Sequence, residues 1–318
     1  MGATLLLFSG TLPALARQDA TPASGLADLG LPTLDVTVSA AGYEGIPDTL
    51  EAGRYLVTVT AAEDTGEFGG GVGFIQPAGM SADEFLGLLA GPPDETGVGA
   101  AAATPFSGAE ASPADGGGED GPPKELYEAL FAGGTYAEPG QSAEIALDLP
   151  PGEWIAWADD PEAPQEPLFF NVTGDMPADL VEPESSATIS LGEYVIKVTE
   201  GELTAGPQLL KIENIGAQPH FIVSGLGPDG MTEAQIKVAL DEEAASEETG
   251  TPPAYSDLNP DEDFEGGFFT GTQSTGTTIW VPVTLEAGSY VLVCFFPDLG
   301  DGVPHAFHGM YTVIEVGA

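Results

Sequence analysis

The chain has 318 residues, with 51 Asp and Glu against 6 Lys and Arg, a formal net charge of −45. Six scattered cations cannot build the basic stripe that a nucleic acid requires, and binding to an anionic membrane surface is disfavoured on the same ground. One cysteine and three histidines exclude an internal disulfide framework, a multi-cysteine zinc or iron–sulfur site and any large metal cluster.

Hydrophobic residues at 42% supply material for real cores, and the length fits about two domains. With 44 glycines and 28 prolines, many turns and little continuous helix are expected, so the fold class is read as all-β. In chain order, the apolar run Ala3-Thr-Leu-Leu-Leu-Phe8 and the small-x-small pattern Ala14-Leu15-Ala16 before Arg17 read as a signal peptide over residues 1–16, cleaved after Ala16. No basic segment precedes the run. Export is the expectation, and no later stretch approaches the roughly 20 uninterrupted apolar residues of a membrane span. Residues 17–32, rich in Ala, Pro, Gly and Asp, read as a flexible leader.

The remainder can be laid over itself. Gly140-Gln-Ser-Ala-Glu-Ile-Ala-Leu-Asp-Leu149-Pro-Pro-Gly152-Glu-Trp-Ile-Ala-Trp-Ala158-Asp-Asp-Pro161 matches Gly276-Thr-Thr-Ile-Trp-Val-Pro-Val-Thr-Leu285-Glu-Ala-Gly288-Ser-Tyr-Val-Leu-Val-Cys294-Phe-Phe-Pro297 at a constant offset, with Trp154 on Tyr290. Upstream, Gly73-Phe-Ile can be set beside His220-Phe-Ile. This predicts an internal duplication, with units at 33–176 and 177–318. Short β-branched or aromatic runs such as Tyr194–Thr199, Leu209–Asn214, Thr278–Val283 and Tyr290–Cys294, bounded by Gly, Pro or Asp, read as sandwich strands. One short helix is predicted in each unit, over Ser81–Leu89 and Thr232–Leu240, each opening on a Ser or Thr N-cap. A long polar insertion follows each, Gly91–Pro123 and Asp241–Asp263, expected as a surface loop. The carboxylates, spread along the whole chain, read first as a solvated, mutually repelling surface and second as a docking face for a basic redox partner.

The chemistry is concentrated late. Cys294-Phe-Phe-Pro-Asp-Leu-Gly-Asp-Gly-Val-Pro-His305-Ala-Phe-His308-Gly-Met310 holds the cysteine and two histidines, and the third closes Asn214-Ile-Gly-Ala-Gln-Pro-His220-Phe-Ile-Val. Asn-x-Gly-x-x-Pro-His-x-x-Val resembles the upstream ligand strand of plastocyanin-type cupredoxins. Gly288-Ser-Tyr-Val-Leu-Val-Cys294 followed by His305-x4-Met310 resembles their C-terminal ligand loop. The resemblance spans residues 186–317 and reaches the first unit only through its likeness to the second. It implies two cupredoxin-like Greek-key β-sandwich domains and a type 1 copper held by His220, Cys294, His305 and Met310 in the second. A thiolate and two imidazoles in a trigonal plane, with a weak axial thioether, let Cu(I) and Cu(II) exchange with little rearrangement. The ten residues between Cys294 and His305 exceed the compact plastocyanin-type loop, Phe221 stands where that family often has a polar residue, and His308 offers a competing ligand. Singly, each residue also has an ordinary structural reading: small core cysteine, solvated loop histidine, core methionine.

The first unit, with Gly73 set against His220 and Ala158 against Cys294, is expected to bind no copper. Three histidines are too few for the additional centres of multicopper oxidases or copper nitrite reductases, and no Ser/His/Asp set remains. The expected function is therefore a non-enzymatic, exported one-electron carrier working with a redox partner protein. The alternatives are a metal-free interaction module and a copper storage or delivery protein. The four ligands are expected to converge at one end of the second sandwich, with the histidine nitrogens and cysteine sulfur within about 4 Å of a common point.

Overall fold

The computed structural model describes residues 26–66, 69–89, 122–157, 166–260 and 262–317. The expected signal peptide, most of the first polar insertion and Ala158 lie outside these residues. The N-terminal half contains β1 (Thr33–Ser39), β2 (Gly42–Glu44), β3 (Thr49–Glu51), β4 (Gly53–Ala61), β5 (Gly70–Gln76), α1 (Ala82–Leu89), α2 (Lys124–Glu128), β6 (Leu130–Ala137), β7 (Ser142–Leu149), β8 (Gly152–Trp157) and β9 (Leu168–Thr173). The C-terminal half contains β10 (Ala187–Gly192), β11 (Val195–Gly201), β12 (Gly206–Asn214), β13 (Val223–Leu226), α3 (Glu233–Thr249), β14 (Thr278–Leu285), β15 (Gly288–Val293), a 3-10 turn (His305–His308) and β16 (Tyr311–Val316). The fold is mostly β, as expected, built of packed sheets.

Both halves carry one strand order. In the first, β1 pairs antiparallel with β2 and parallel with β4, and β4 pairs antiparallel with β7. In the second, β10 does the same with β11 and β12, and β12 with β14. The opposing layers run β3–β9–β8–β5–β6 and β13–β15–β16, antiparallel except where β3 joins β9 in parallel. The strands that matched in sequence, β7 with β14 and β8 with β15, have identical lengths and start at the same offset. Trp154 and Tyr290 are both buried, and each ties back four residues: Trp154 Nε1 donates to the Pro150 carbonyl, and the Tyr290 hydroxyl accepts the Glu286 N–H.

The halves do not stand apart. β7 meets β14 through Ala146 opposite Trp280, giving one eight-stranded sheet, β11-β10-β12-β14-β7-β4-β1-β2. On the other layer, the segment around Gln273 bridges Ala132 of β6 on one side and His220 on the other. Gly271 N–H donates to the Gly134 carbonyl, and Ser274 and Phe131 exchange hydrogen bonds. Gly271 must be glycine here, because a Cβ would lie 2.4 Å from the Gly134 nitrogen. The inward residues of both halves of the eight-stranded sheet, including Val57, Ile145, Leu147, Ile212, Ile279 and Val281, merge into one core.

The outer face at the junction is also apolar. Leu56, Ala146 and Trp280 form a row across three strands, and Leu26, Leu29 and Leu31 cover it. This corrects the expected flexible leader: its described part, from residue 26 onward, is packed, because a central strand buried on both faces needs a lid. Arg54 fastens the same seam. Its Nε and Nη2 grip Asp148 at 2.7 and 2.9 Å, its Nη1 donates to the Val181 carbonyl, and its guanidinium lies 4.1 Å from the Trp280 ring centre.

The helices depart from expectation in two ways. α2 adds a second short helix to the first half. α3 runs nine residues beyond the expected end at Leu240, so the second insertion is not simply a loop. A Thr232–Gln235 capping box starts it, Gly250 at φ 65° ends it, and Glu242 and Glu243 accept hydrogen bonds from Ser256 and Tyr255 that hold the returning chain against it. Its Ile236 and Leu240 cover Val291 and Val293 on the outer face of β15.

Because one sheet runs through the seam and the Gln273 segment bridges the opposing layer across it, the chain should unfold as one cooperative unit. Urea unfolding followed by tryptophan fluorescence and by circular dichroism is expected to give a single shared transition, and Arg54→Ala to lower stability by about 2 kcal/mol. Two transitions, with only one moved by Arg54→Ala, would contradict the continuous sheet.

Candidate metal centre

His220 arrives on a tightly specified turn. The Asn214 side chain donates to the carbonyls of Gln218 and Gln273 at 2.8 and 2.7 Å and accepts the Gly216 N–H at 2.9 Å. A Cβ on Gly216 would sit 2.8 Å from His220 Nε2 and 2.7 Å from Glu193 Oε1, so the small residue makes room for the imidazole. The His220 N–H and carbonyl both pair with Gln273, fixing its backbone to the sheet. The motif Asn-x-Gly-x-x-Pro-His is thus a clamp, a clearance and a ring.

Cys294 follows β15 directly, and its N–H donates to the Met310 carbonyl at 3.1 Å. Met310 in turn donates its N–H to the His305 carbonyl at 2.9 Å, and it is buried in the core cluster that holds Cys294. The long Cys–His connection closes on itself. Pro297 bridges Pro304, Asp298 and Val303 pair, and Gly302 turns the chain at φ 72°. The extra residues 298–303 therefore form a small outward hairpin, and Phe296 and His305 remain neighbours, with the His305 N–H on the Phe296 carbonyl at 2.9 Å.

The result is a triangle of donors. His220 Nδ1 lies 3.1 Å from His305 Nδ1, and Cys294 Sγ lies 3.9 and 3.7 Å from them. All three residues are 0% exposed. Donors about 2.0–2.3 Å from one centre at trigonal angles stand roughly 3.5–3.8 Å apart, so the triangle is close to the dimensions of a small transition-metal ion. The outer nitrogens, His220 Nε2 and His305 Nε2, are buried without a hydrogen-bond partner, at 3.7 Å from Glu193 and 3.9 Å from Asp298. His308 points elsewhere: its Nε2 is 3.2 Å from Asp301, and it groups with Asp298 and Asp301, away from the cysteine.

Burial governs the protonation of this cluster. Desolvation lowers both imidazoles to about 4, helped at His220 by the neighbouring His305 and opposed at both by Glu193. Desolvation pushes the Cys294 thiol up to about 12, although the N–H groups of Phe221 and Phe296 aimed at the sulfur favour the thiolate. Without metal the cluster is neutral, and a bound cation would have to displace the thiol proton.

Four outer residues were not found from the sequence. The β10–β11 turn carries Glu193 and Tyr194. Glu193, held below its ordinary value despite burial, accepts the N–H groups of Ala217 and Gln218 and lies over His220. Tyr194, a non-glycine residue at φ 56°, sits edge-on at 5.5 Å over His305, and its hydroxyl donates to Asp298 at 2.6 Å. Gln218 joins both sides, donating to Glu193 and Asp298 and accepting the Leu299 N–H. Asp298 stood within the noted loop, but no spacing singled it out.

In the first half, the pairing register corrects the earlier alignment. Gly73 faces Trp157 as Val223 faces Val293, so the counterpart of His220 is Gly70, three residues before Gly73. Gly70 pairs with Ala137 as His220 bridges Gln273. Glycine still supplies no imidazole there.

No family model and no curated protein matches the chain. Among solved structures, it is similar to dithionite-reduced auracyanin from Roseiflexus castenholzii, at 19% identity over 41% of this chain and 95% of that one, TM-score 0.26. Auracyanin A, a blue copper protein from Chloroflexus aurantiacus, matches at 22% identity over 41% and 98%, TM-score 0.24. Copper nitrite reductase from Nitrosomonas europaea matches at 9% identity over 89% and 93%, TM-score 0.21. The expectation that the chain is not an enzyme is corrected here: matches that run along nearly the whole chain include this reductase and multicopper oxidases, which are enzymes.

The buried imidazoles set the pH response of the metal-free chain. Both take up protons less readily when folded than their ordinary 6.5, so the unfolded state binds more protons as the pH falls. Stability is expected to be intact above about 6.5 and to be lost as the pH falls toward about 4. Urea midpoints of metal-free protein across that window test this, and His305→Gln is expected to flatten the slope.

Proposed function

We propose that the C-terminal half would hold a type 1 copper through His220 Nδ1, Cys294 Sγ and His305 Nδ1, with the Met310 thioether as a further weak donor, and that the chain passes single electrons through it to a redox partner. The observation that carries this reading is the fully buried triangle of two imidazole nitrogens and one sulfur, with edges of 3.1, 3.7 and 3.9 Å. Copper bound there would supply a one-electron couple whose two oxidation states tolerate the same donors.

The protein's own part is preorganisation. The strand pairing of His220, the Met310 and Phe296 hydrogen bonds around Cys294 and His305, and the Glu193–Gln218–Asp298–Tyr194 network hold the donors with little freedom to move. Complete burial keeps water from the donor triangle. The N–H groups of Phe221 and Phe296 stabilise negative charge on the sulfur. His305 takes the ligand role and His308 does not, because only His305 faces the cysteine.

The reading includes an origin of the two halves by duplication, supported by their shared strand order. It also includes an extracytoplasmic location, supported by the apolar run and Ala14-Leu15-Ala16. Among the described residues, no helix is long and apolar enough to cross a membrane.

Copper spectra of two variants test the assignment. His305→Ala is expected to abolish the intense visible thiolate-to-copper band, whereas His308→Ala retains it. Loss in His308→Ala with retention in His305→Ala would reverse the ligand, and retention in both would remove both from the centre.

A further inference from the structure

The residue that joins the two loop ligands is Phe296. Its N–H is directed at the Cys294 sulfur, and its carbonyl accepts the His305 N–H at 2.9 Å. Its ring is fully buried, 6.1 Å from the His305 ring. What fixes Phe296 comes from the other half of the chain. Tyr127 of α2 packs edge-on against the Phe296 ring at 5.6 Å and 90°, and Phe131 of β6 does so at 6.1 Å and 76°. The Tyr127 hydroxyl donates to the carbonyl of Pro297, the next residue, at 2.8 Å.

We propose that Tyr127 is a positioning residue for the metal centre, holding the Phe296–Pro297 segment so that Cys294 and His305 stay in register. The proposal rests on the reading of the cluster as a metal site, and it makes the N-terminal half a working part of that site. The contact spans 170 residues of sequence, so no local feature of the ligand loop replaces it. The hydroxyl has one acceptor in the loop and sits among acidic neighbours: burial, then Asp298 and Asp301, raise it above its ordinary value, which keeps it a donor at any physiological pH. A second link runs in parallel, since Ala132 of β6 bridges Gln273, which bridges His220 on its other side.

Tyr127→Phe keeps the ring and removes only the hydrogen bond. Tyr55→Phe is the control, because the Tyr55 hydroxyl donates to the Glu51 carbonyl within the first half and contacts no ligand segment. Two readouts are compared in full-length protein. In the metal-free chain, labelling of Cys294, the one thiol, by an aromatic disulfide reagent reports opening of the loop. Tyr127→Phe is expected to speed labelling about fivefold, and Tyr55→Phe less than about twofold. In protein loaded with Cu(II), Tyr127→Phe is expected to lower the reduction potential, because a loosened Phe296 N–H stabilises the thiolate less, while Tyr55→Phe leaves the potential unchanged. Labelling at the wild-type rate, or equal acceleration in both variants, would overturn the role of Tyr127. A wild-type chain that takes up no copper would instead overturn the metal reading, and the labelling comparison would still decide whether Tyr127 holds the loop.

Discussion

Two imidazoles and a thiol packed donor to donor and fully buried are the constraint on which this structure turns. Such groups normally seek water or hydrogen bonds, and a buried nitrogen lacking a partner is costly. Here His220 and His305 face each other at 3.1 Å, and both outer nitrogens lack a direct partner. The chain tolerates this because its backbone leaves the side chains no alternative. His220 is tied at both main-chain groups, Cys294 continues a central strand, and His305 is fixed by Phe296 before it and Met310 after it. A ligand set held against its own preference for water is what a site with little reorganisation requires.

The surroundings extend that constraint outward in two shells of different origin. One comes from the same half: the β10–β11 turn lays Glu193 and Tyr194 over the two imidazoles, and Gln218 and Asp298 close the network. The other comes from the opposite half, where α2 and β6 brace the ligand loop through Phe296 and Pro297. The merged sheets explain how this is possible. With β7 on β14 and β6 on the Gln273 segment, the first half is fixed relative to the centre on both layers.

Much of this was legible in the sequence where local pattern and chemistry coincide. The paired strands β7–β8 and β14–β15 follow the repeat residue for residue, since Gly152 and Gly288 start equivalent strands at φ 150° and 152°. The clustering of His220, Cys294 and His305 is read directly from their order, and the longer loop proves harmless because residues 298–303 fold back on themselves. Other features depend on contacts that no local pattern encodes. Gly70 rather than Gly73 answers to His220 because register is set by pairing with β8, not by the nearby Phe-Ile likeness. The leader carries Leu26, Leu29 and Leu31 among small residues, and only the apolar outer row of the sheet gives them a place. The end of α3 is Glu-rich and lost its apolar period at Leu240, yet caps and side-chain ties carry it to Thr249. Tyr127 and Tyr194 reach the centre from distant segments and had no spacing to betray them.

The central claim is that this buried triangle binds copper by one sulfur and two nitrogens. X-ray absorption at the copper edge of protein loaded with one equivalent of Cu(II) measures that directly. The account predicts one sulfur and two imidazole nitrogens at about 2.0–2.3 Å. Copper surrounded only by nitrogen and oxygen, with no sulfur at that distance, would contradict it.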